Sequence, residues 1–265
     1  MPDKAVTLFI EDLLRRHALR EAGQNTETLF SGLTADSLQT LLSNSLMQNA
    51  AAGTQLVQHG EAPLYLYFII EGRVKTARYS STGSESTLRM LRSGDTFMDA
   101  VIFMGGTSPV NAIALENSRL LLIPAETVRR HALHDSQFAC NVLRIVTRHY
   151  KNALQQIDSI VTKNPVARLG YYFLKQHLEQ GSESTEIELN FQKSAIANHL
   201  GMTPETFSRA LGHIKQMGID VEQEKLTLRD AYALCQFCDP DTSYHCAKFN
   251  TSRCPLSNDA VKACH

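Results

Sequence analysis

The apolar positions of the first 43 residues follow a helical period. In residues 1–28 the apolar side chains mark one side of a predicted amphipathic helix, namely Leu8, Phe9, Leu13 and Leu14. A shorter helix is predicted over residues 34–43, where Thr34 is a suitable helix cap. We interpret residues 1–28 as an N-terminal helical extension.

The period then changes, and residues 50–124 carry short runs of β-forming side chains at positions 55–59, 65–71, 73–79, 86–91, 110–115 and 119–123. Glycines recur 11 or 12 positions apart in this region, at Gly60, Gly72, Gly83, Gly94 and Gly105. Short strands with turn signals at intervals of about 8–12 residues are typical of an antiparallel barrel or sandwich. We predict a β-barrel sensory domain within residues 29–134.

A long amphipathic helix is predicted next, over residues 135–163. Its main apolar stripe repeats three and four residues apart, like a coiled-coil seam, and consists of Leu143, Val146, Tyr150, Ala153, Ile157 and Ile160. A second stripe can cover the barrel, and consists of Val142, Ile145, Leu154 and Val161. The seam is narrower than a monomer core requires, so we predict a dimerisation helix. The alternative is a single buried helix in a monomer.

Residues 164–230 have the pattern of a winged helix-turn-helix. Two helices are predicted on either side of a tight turn at Gly201, and Thr203-Pro204 is a strong start signal for the second helix. The second helix has an apolar face of Phe207, Leu211 and Ile214, and a polar face of Glu205, Ser208, Arg209 and Gly212. Such a polar face is either solvated or placed to read DNA.

The composition indicates a globular chain. Of its 265 residues 43% are hydrophobic, and no apolar run reaches the roughly 20 residues of a membrane span. The N-terminus has no secretory signal pattern, so we expect a cytoplasmic protein without membrane contact. The formal charge of −1 gives no support by itself for nucleic-acid binding. No motif of a hydrolase, nucleotide-binding loop or metalloprotease occurs, so an enzyme is not predicted.

Five of the six cysteines lie in the last 31 residues, at Cys235, Cys238, Cys246, Cys254 and Cys264. In a reducing compartment, such a cluster favours metal binding over a disulfide framework. Cys235-x2-Cys238 followed by Cys246 and Cys254 provides four thiolate ligands, which suit iron–sulfur clusters and zinc about equally. Residues 231–265 are therefore predicted to be a metal-binding tail, while Cys140 is interpreted as a small core residue.

The stretch from Ile196 to Leu211, with Gly-Met-Thr-Pro-Glu-Thr-Phe-Ser-Arg at its centre, resembles the DNA reader of the CRP/FNR family of bacterial transcription regulators. The order of barrel, long helix and winged helix is similar to that family over roughly residues 29–230. The resemblance implies an α+β fold with a cyclic-nucleotide-binding type of antiparallel β-barrel, a dimerisation helix and a winged helix-turn-helix. It also implies double-stranded DNA and RNA polymerase as partners.

The spacing of Glu205, Ser208 and Arg209 is similar to that of the FNR branch, which implies TTGA-type half-sites in an inverted repeat. Arg209 can donate two hydrogen bonds to guanine, Glu205 can accept one from cytosine, and Ser208 can contact a base or a methyl group. In a dimer, two such helices lie about one DNA turn apart. The remaining predicted DNA-binding residues are Thr203 and three candidates for phosphate contacts, Lys193, His213 and Lys215.

FNR proteins couple DNA binding to an iron–sulfur cluster, and one version carries its cysteines just after the winged helix, as here. The resemblance therefore implies a cluster of the [4Fe–4S] type in the tail, sensitive to oxygen or nitric oxide. Zinc, for which His245 is a further candidate ligand, and a simple thiol switch are the alternatives.

Family members that bind a cyclic nucleotide carry a Gly-Glu pair followed by an arginine for the phosphate. The matching stretch here is Gly94–Ala100, and no Lys or Arg occurs between Met98 and Leu115. A buried phosphate without a cation would be costly, so the sequence argues against a cyclic nucleotide. The resemblance also leaves haem in the barrel as an alternative, as in the nitric-oxide-responsive branch of the family. His59, His131 and His134 lie in this domain, but a lone histidine is more often an ordinary surface or core residue.

Overall fold

The computed structural model describes residues 4–20, 29–81, 83, 85–180, 185–189, 191–222, 224–230, 232–239, 243 and 246, with the backbone alone over 13–20. The chain divides into two compact units, Met1–Ala153 and Leu154–His265. Within the described residues, no helix combines the length and apolar character needed to cross a membrane.

The first unit contains two four-stranded antiparallel sheets. One has the order β1-β8-β3-β6 and consists of Leu46–Ala50 (β1), Ser118–Pro124 (β8), Tyr65–Glu71 (β3) and Thr96–Phe97 (β6). The other has the order β2-β7-β4-β5 and consists of Gln55–Val57 (β2), Asn111–Ala114 (β7), Arg73–Tyr79 (β4) and Glu85–Arg92 (β5). The predicted antiparallel architecture is confirmed, with β1 and β6 as additional strands that the β-forming runs did not indicate.

Side chains on β3 alternate between two hydrophobic cores, because successive residues of a strand point to opposite faces. Tyr67 and Ile69 pack between the two sheets. Leu66 and Phe68 face the other way and pack under a layer of helices. That layer consists of α1 (Lys4–Arg20), α2 (Ala35–Leu42), α4 (Ala125–His134) and the first part of α5 (Ser136–Thr162).

The glycine turns predicted from the sequence are present. Each of the five regularly spaced glycines has a positive φ, between 77° and 94°. Gly72 joins β3 to β4, and a Cβ at this position would lie 2.7 Å from the Cα of Ser118. Glycine alone combines this backbone conformation with so close an approach of a neighbouring strand.

The predicted cap of α2 is present, whereas the predicted apolar face of α1 is wrong at Leu8. Thr34 caps α2, since its hydroxyl accepts a hydrogen bond from the Ser37 amide at 3.2 Å. In α1 the residues that contact the core are Val6, Phe9 and Ile10, a spacing that places Leu8 on the opposite side. Leu8 is accordingly exposed, against the prediction, while the Leu13 and Leu14 side chains and residues 21–28 lie outside the described part.

The long helix α5 begins after Asp135, whose carboxylate accepts a hydrogen bond from the Phe138 amide at 2.9 Å. Val142 and Ile145 are buried in the core under the helical layer, as predicted for the second stripe. Cys140 is exposed, so its interpretation as a core residue is wrong. It lies on the side of the helix away from Val142 and Ile145.

A short helix, α3 (Asp99–Met104), precedes β7 and was not predicted.

The second unit contains the winged helix-turn-helix. Its elements are α6 (Pro165–Gln180), β9 (Glu186–Glu188), α7 (Lys193–His199), α8 (Pro204–Gln216), β10 (Ile219–Glu222) and β11 (Lys225–Leu228). The strands form an antiparallel sheet in the order β10-β11-β9. A 3₁₀ turn, Cys235–Phe237, follows the wing.

Candidate nucleic-acid interface and cysteine extension

Helix α8 is fixed at its start by a local cap and along its length by an apolar face. Thr203 precedes the helix with an extended backbone, and its hydroxyl accepts a hydrogen bond from the Thr206 amide at 3.3 Å. Pro204 follows at the first helical position. Phe207, Ala210 and Ile214 are buried. The structure therefore gives Thr203, a predicted DNA-binding residue, a capping role.

The opposite face of α8 presents Glu205, Ser208 and Arg209 together, and all three are exposed. Hydrogen bonds from the backbone amide of Glu205 and from the Thr203 hydroxyl, with the charge of Arg209, hold the pKa of the Glu205 carboxyl below its usual value. Glu205 is thus ionised at neutral pH and can only accept hydrogen bonds, whereas the Arg209 guanidinium can only donate them. The face therefore offers both a hydrogen-bond acceptor and a hydrogen-bond donor for reading base edges.

Two of the three predicted phosphate-contacting residues, Lys193 and Lys215, are already engaged within the protein. The Lys193 ammonium donates to the Val221 carbonyl oxygen at 3.1 Å. The Lys215 ammonium lies 3.0 Å from the Asp220 carboxylate, and this hydrogen bond lowers the pKa of Asp220. His213 is exposed on α8. The sequence did not predict Asp220 as the partner of Lys215, although an acidic residue five positions after Lys215 is visible in the sequence.

A cleft of about 620 Å³ separates the beginning of α6 from α8. Its walls include Val166 of α6, Arg209 and His213 of α8, Met217 just after α8, and Phe237 from the 3₁₀ turn. The cleft therefore brings the chain that follows the wing next to the helix that carries the polar face.

Cys235 and Cys238 lie one turn apart on this segment, where the Cys238 amide donates to the Cys235 carbonyl oxygen at 3.0 Å. In a 3₁₀ turn residues i and i+3 lie on the same side, so the side chains of Cys235 and Cys238 leave the backbone on one side of the turn. Cys246 is described and half-buried, whereas Cys254, Cys264 and His245 lie outside the described residues. Within the described part, no three His, Cys, Asp or Glu side chains are grouped closely enough to hold a metal.

The seam predicted on α5 is largely exposed in the single chain. Leu143, Tyr150 and Ile157 are 66%, 64% and 59% exposed, Ala153 and Ile160 are also exposed, and Val146 is half-buried. Leu154 and Val161, which were predicted to cover the barrel, are exposed as well. The apolar surface of α5 is thus wider than the predicted seam.

A buried polar cluster at the matching stretch Gly94–Ala100 was missed by the sequence argument. Asp99 of α3 is buried and contacts His149 of α5, and the Arg89 guanidinium donates to the same imidazole at 2.7 Å. Arg89 precedes the window in which a phosphate-binding cation was sought. Met98, just before Asp99, has a φ of 67°, unusual for a residue with a side chain.

The three histidines considered for haem lie in different settings. His59 and His134 are exposed. His131 is buried, its Nε2 lies 2.9 Å from the Ser37 hydroxyl, and its ring contacts Phe138 at a centroid distance of 5.1 Å. Burial lowers the pKa of His131. These contacts indicate that His131 has a structural role in packing the helical layer.

Comparisons with known proteins agree with this architecture. A family model described as a cyclic nucleotide-binding domain matches residues 47–135, and one described as a Crp-like helix-turn-helix domain matches residues 167–237. The Anaerobic regulatory protein of Pasteurella multocida is 30% identical over 186 residues, which cover 68% of this chain and 67% of that protein.

The Fumarate and nitrate reduction regulatory protein of Escherichia coli strain K12 is 28% identical over 189 residues, covering 69% of this chain and 75% of that protein. Among solved structures, FixK2 from Bradyrhizobium japonicum has a similar fold, with a TM-score of 0.66 and 19% identity over 74% of this chain and 98% of that one. With the barrel, the winged helix and these relatives in agreement, the chain belongs to the CRP/FNR family of DNA-binding transcription regulators, which are not enzymes.

Proposed function

We propose that this regulator binds an inverted repeat of TTGA-type half-sites as a homodimer, and that a redox-sensitive iron–sulfur cluster in its C-terminal extension controls the binding. The observation that carries the DNA-reading proposal is the exposed face of Glu205, Ser208 and Arg209 on α8. An acceptor, a hydroxyl and a bidentate donor stand within one helical turn, which suits a short mixed sequence of base pairs.

The binding site is tested with labelled duplexes that carry a TTGA-type inverted repeat, a single half-site or a scrambled sequence. We expect the full repeat to bind with roughly 10³-fold or greater preference over the scrambled duplex at physiological salt. Equal affinity for the repeat and the scrambled duplex would contradict the specificity. Tight binding to the single half-site alone would contradict the dimeric mode.

The homodimer proposal rests on the exposed apolar surface of α5. Leu143, Tyr150 and Ile157 repeat at helical spacing along about four turns, and each is more than half exposed in the isolated chain. A single apolar side chain on a surface needs no explanation, whereas a continuous stripe of them indicates a surface that another molecule covers. A second α5 with the same stripe is the simplest partner, because its spacing is self-complementary.

The cluster proposal rests on donor chemistry. Thiolates are the ligands of iron–sulfur clusters, and Cys235 and Cys238 present two on one side of a turn. Cys246 and Cys254 are the proposed remaining ligands, with Cys254 outside the described residues. When bound, such a cluster supplies a centre that oxygen or nitric oxide can damage. The names of the relatives, an anaerobic and a fumarate and nitrate reduction regulator, support a response of this kind.

The cluster is tested by the absorbance spectrum of protein purified without oxygen and then exposed to air. A broad band near about 400 nm that bleaches supports an iron–sulfur switch. A sharp Soret band would instead indicate haem. A featureless spectrum with one zinc per chain would replace the proposed switch by a structural zinc site.

One further partner follows from this proposal, and one ligand is not proposed. A regulator of this family that acts at a promoter has RNA polymerase as its partner, in the bacterial cytoplasm. A cyclic nucleotide is not proposed as a ligand, because at the matching stretch of the barrel the chain's own Asp99 and Arg89 both contact His149. Calorimetric titration with cyclic AMP checks this point, and saturable binding would contradict it.

A further inference from the structure

The segment after the wing folds back onto α6, and its closest contact is between Phe237 and Gly170. A Cβ on Gly170 would lie 2.5 Å from three carbon atoms of the Phe237 ring. No side chain larger than hydrogen fits between the helix and the ring. The ring therefore lies directly on the backbone of α6.

Gly170 has no other evident reason to be glycine. It lies in the interior of α6, is buried, and is not among the residues with positive φ. Glycine in a helix interior is less favourable than alanine. The contact with Phe237 accounts for this residue, since alanine would displace the ring.

Further contacts hold the same segment in place. Leu234 is completely buried. The Cys235 amide donates to the Tyr232 carbonyl oxygen at 2.9 Å, and the Phe237 amide donates to the Leu234 carbonyl oxygen at 3.0 Å. Both amides therefore report on whether the turn is formed.

Beyond the turn, the Asp239 carboxylate lies 3.4 Å from the ammonium of Lys163. That ammonium also stands 4.8 Å from the centre of the Tyr171 ring on α6. The segment that carries Cys235 and Cys238 is thus attached on both sides of its thiols.

Phe237 also lines the cleft between α6 and α8. The same cleft is lined by Arg209, His213 and Met217. Arg209 belongs to the proposed base-reading face. A shift of the ring therefore changes the surroundings of a side chain that is proposed to read DNA.

We propose that Phe237 is the positioning residue that docks the cysteine extension on α6 at Gly170 and holds Cys235 and Cys238 beside the recognition helix. Docking itself requires no bound metal. Its consequence rests on the proposed function. When oxygen or nitric oxide destroys the proposed cluster, the turn at the two thiols opens and the ring withdraws from Gly170. The wall of the cleft next to Arg209 then changes.

The test is hydrogen exchange of the full-length, reduced protein, read in peptides that cover residues 232–239, α6 and α8. Phe237→Ala is expected to speed exchange of the 232–239 amides by about tenfold or more while α8 stays protected. Phe237→Tyr retains the ring that lies on Gly170, so protection is expected to return.

Gly170→Ala gives a second, opposite signature. The added methyl group displaces the ring, so the 232–239 amides exchange faster. The α6 amides exchange no faster, because alanine favours the helix. Gly212→Ala on α8 is the matched control: its methyl group would meet nothing within 4 Å, and the extension should keep its protection.

Unchanged exchange of residues 232–239 in both Phe237→Ala and Gly170→Ala would overturn the docking role. If Gly170→Ala also exposes α8, the comparison of Phe237→Ala with Phe237→Tyr decides alone. DNA affinity before and after air exposure separates the two proposals. Loss of protection in the variants, without any effect of air on wild-type DNA binding, would leave the docking intact and contradict only the redox control.

Discussion

The carboxylate of Asp99 lies 3.4 Å from Nδ1 of His149, and the two side chains are only 3% and 15% exposed. Because the Arg89 guanidinium can only donate, Nε2 of His149 accepts its hydrogen bond and Nδ1 carries the proton that faces Asp99. The Thr96 hydroxyl donates to the other carboxylate oxygen at 2.6 Å. A β5 residue, an α3 residue and an α5 residue are thereby linked inside one unit.

This cluster predicts an acid-sensitive stability. Burial alone would raise the pKa of the Asp99 carboxyl, but the hydrogen bond from His149, with the charge of Arg89, outweighs it and lowers the pKa below 3.8. The stabilisation is therefore complete above about pH 4 and is lost as the pH falls through the lower folded-state pKa.

Asp99→Asn should remove that acid dependence and destabilise the first unit by about 3–5 kcal/mol at pH 7, because the buried Arg89 guanidinium loses the opposite charge of the nearby Asp99. Urea unfolding between pH 7 and pH 2 measures both effects. Glu71→Gln is the control, since it breaks only the exposed pair with Arg119 and should cost about 1 kcal/mol or less. Identical pH profiles for wild type and Asp99→Asn would refute the role of this carboxylate.

Arg209→Ala and Lys215→Ala should affect DNA binding in different ways. Arg209→Ala is expected to cost roughly 1–3 kcal/mol and to relax discrimination at one position of each half-site. Lys215→Ala should weaken all duplexes alike and only slightly, because Asp220 already engages its ammonium and a phosphate contact carries no sequence information. Fluorescence anisotropy with singly altered sites separates the two effects. Uniform weakening by Arg209→Ala would argue against base reading by this residue.

Asp220→Asn should strengthen DNA binding. Asp220 now pairs with Lys215, so the amide releases a cation for the DNA backbone. The slope of log affinity against log salt should steepen by about 0.9 for each additional phosphate contact. Asp230→Asn, also in the winged-helix region, controls for the general loss of one negative charge. The same gain in both variants would indicate net charge rather than release of Lys215.

Ile157→Asp should disrupt the proposed dimer. A carboxylate in the middle of the exposed apolar stripe would have to be buried without a partner on association. Sedimentation velocity is expected to show a shift from dimer to monomer. Circular dichroism should show an unchanged secondary-structure content. Asn152→Asp introduces the same charge on the opposite side of α5 and should leave the dimer intact. A dimeric Ile157→Asp protein would place the interface elsewhere.

Cys238→Ala should abolish the absorbance band of the cluster and the effect of air on DNA affinity together. Loss of one of two thiolates on the same turn removes half of the preformed ligand pair. Cys140→Ala, which removes an exposed thiol on α5, should change neither property. DNA binding that stays fully air-sensitive in Cys238→Ala would contradict the proposed switch.

Local patterns were sufficient for most of the secondary structure. The cap at Thr34, the start of α8 at Thr203-Pro204 and the positive-φ turn at Gly72 each depend on a few neighbouring residues, so they could be predicted before any contact was known. The polar face of α8 was equally visible, because helical periodicity alone separates Arg209 from Ile214. Short elements such as β6 were missed, since two residues show no period.

Contacts between distant positions could not be predicted in this way. Arg89, Asp99 and His149 are separated by 10 and 50 positions, and nothing in their local sequence indicates that the fold buries them together. The sequence predicts Lys215 as a contact for DNA phosphates, but the fold places Asp220 beside its ammonium. In each case the charge of a side chain is set by its own residue type, whereas its availability depends on what the fold places next to it.

The sequence by itself therefore determined the order of barrel, long helix, winged helix and cysteine-rich extension, because periodicity, capping and residue chemistry are local properties. Only the tertiary structure decided that Phe237 lies on Gly170, 67 positions away in the chain. A glycine within a helix and a phenylalanine between two cysteines have no detectable relation in sequence. Their complementarity is steric, and it exists only once α6 and the turn are brought together.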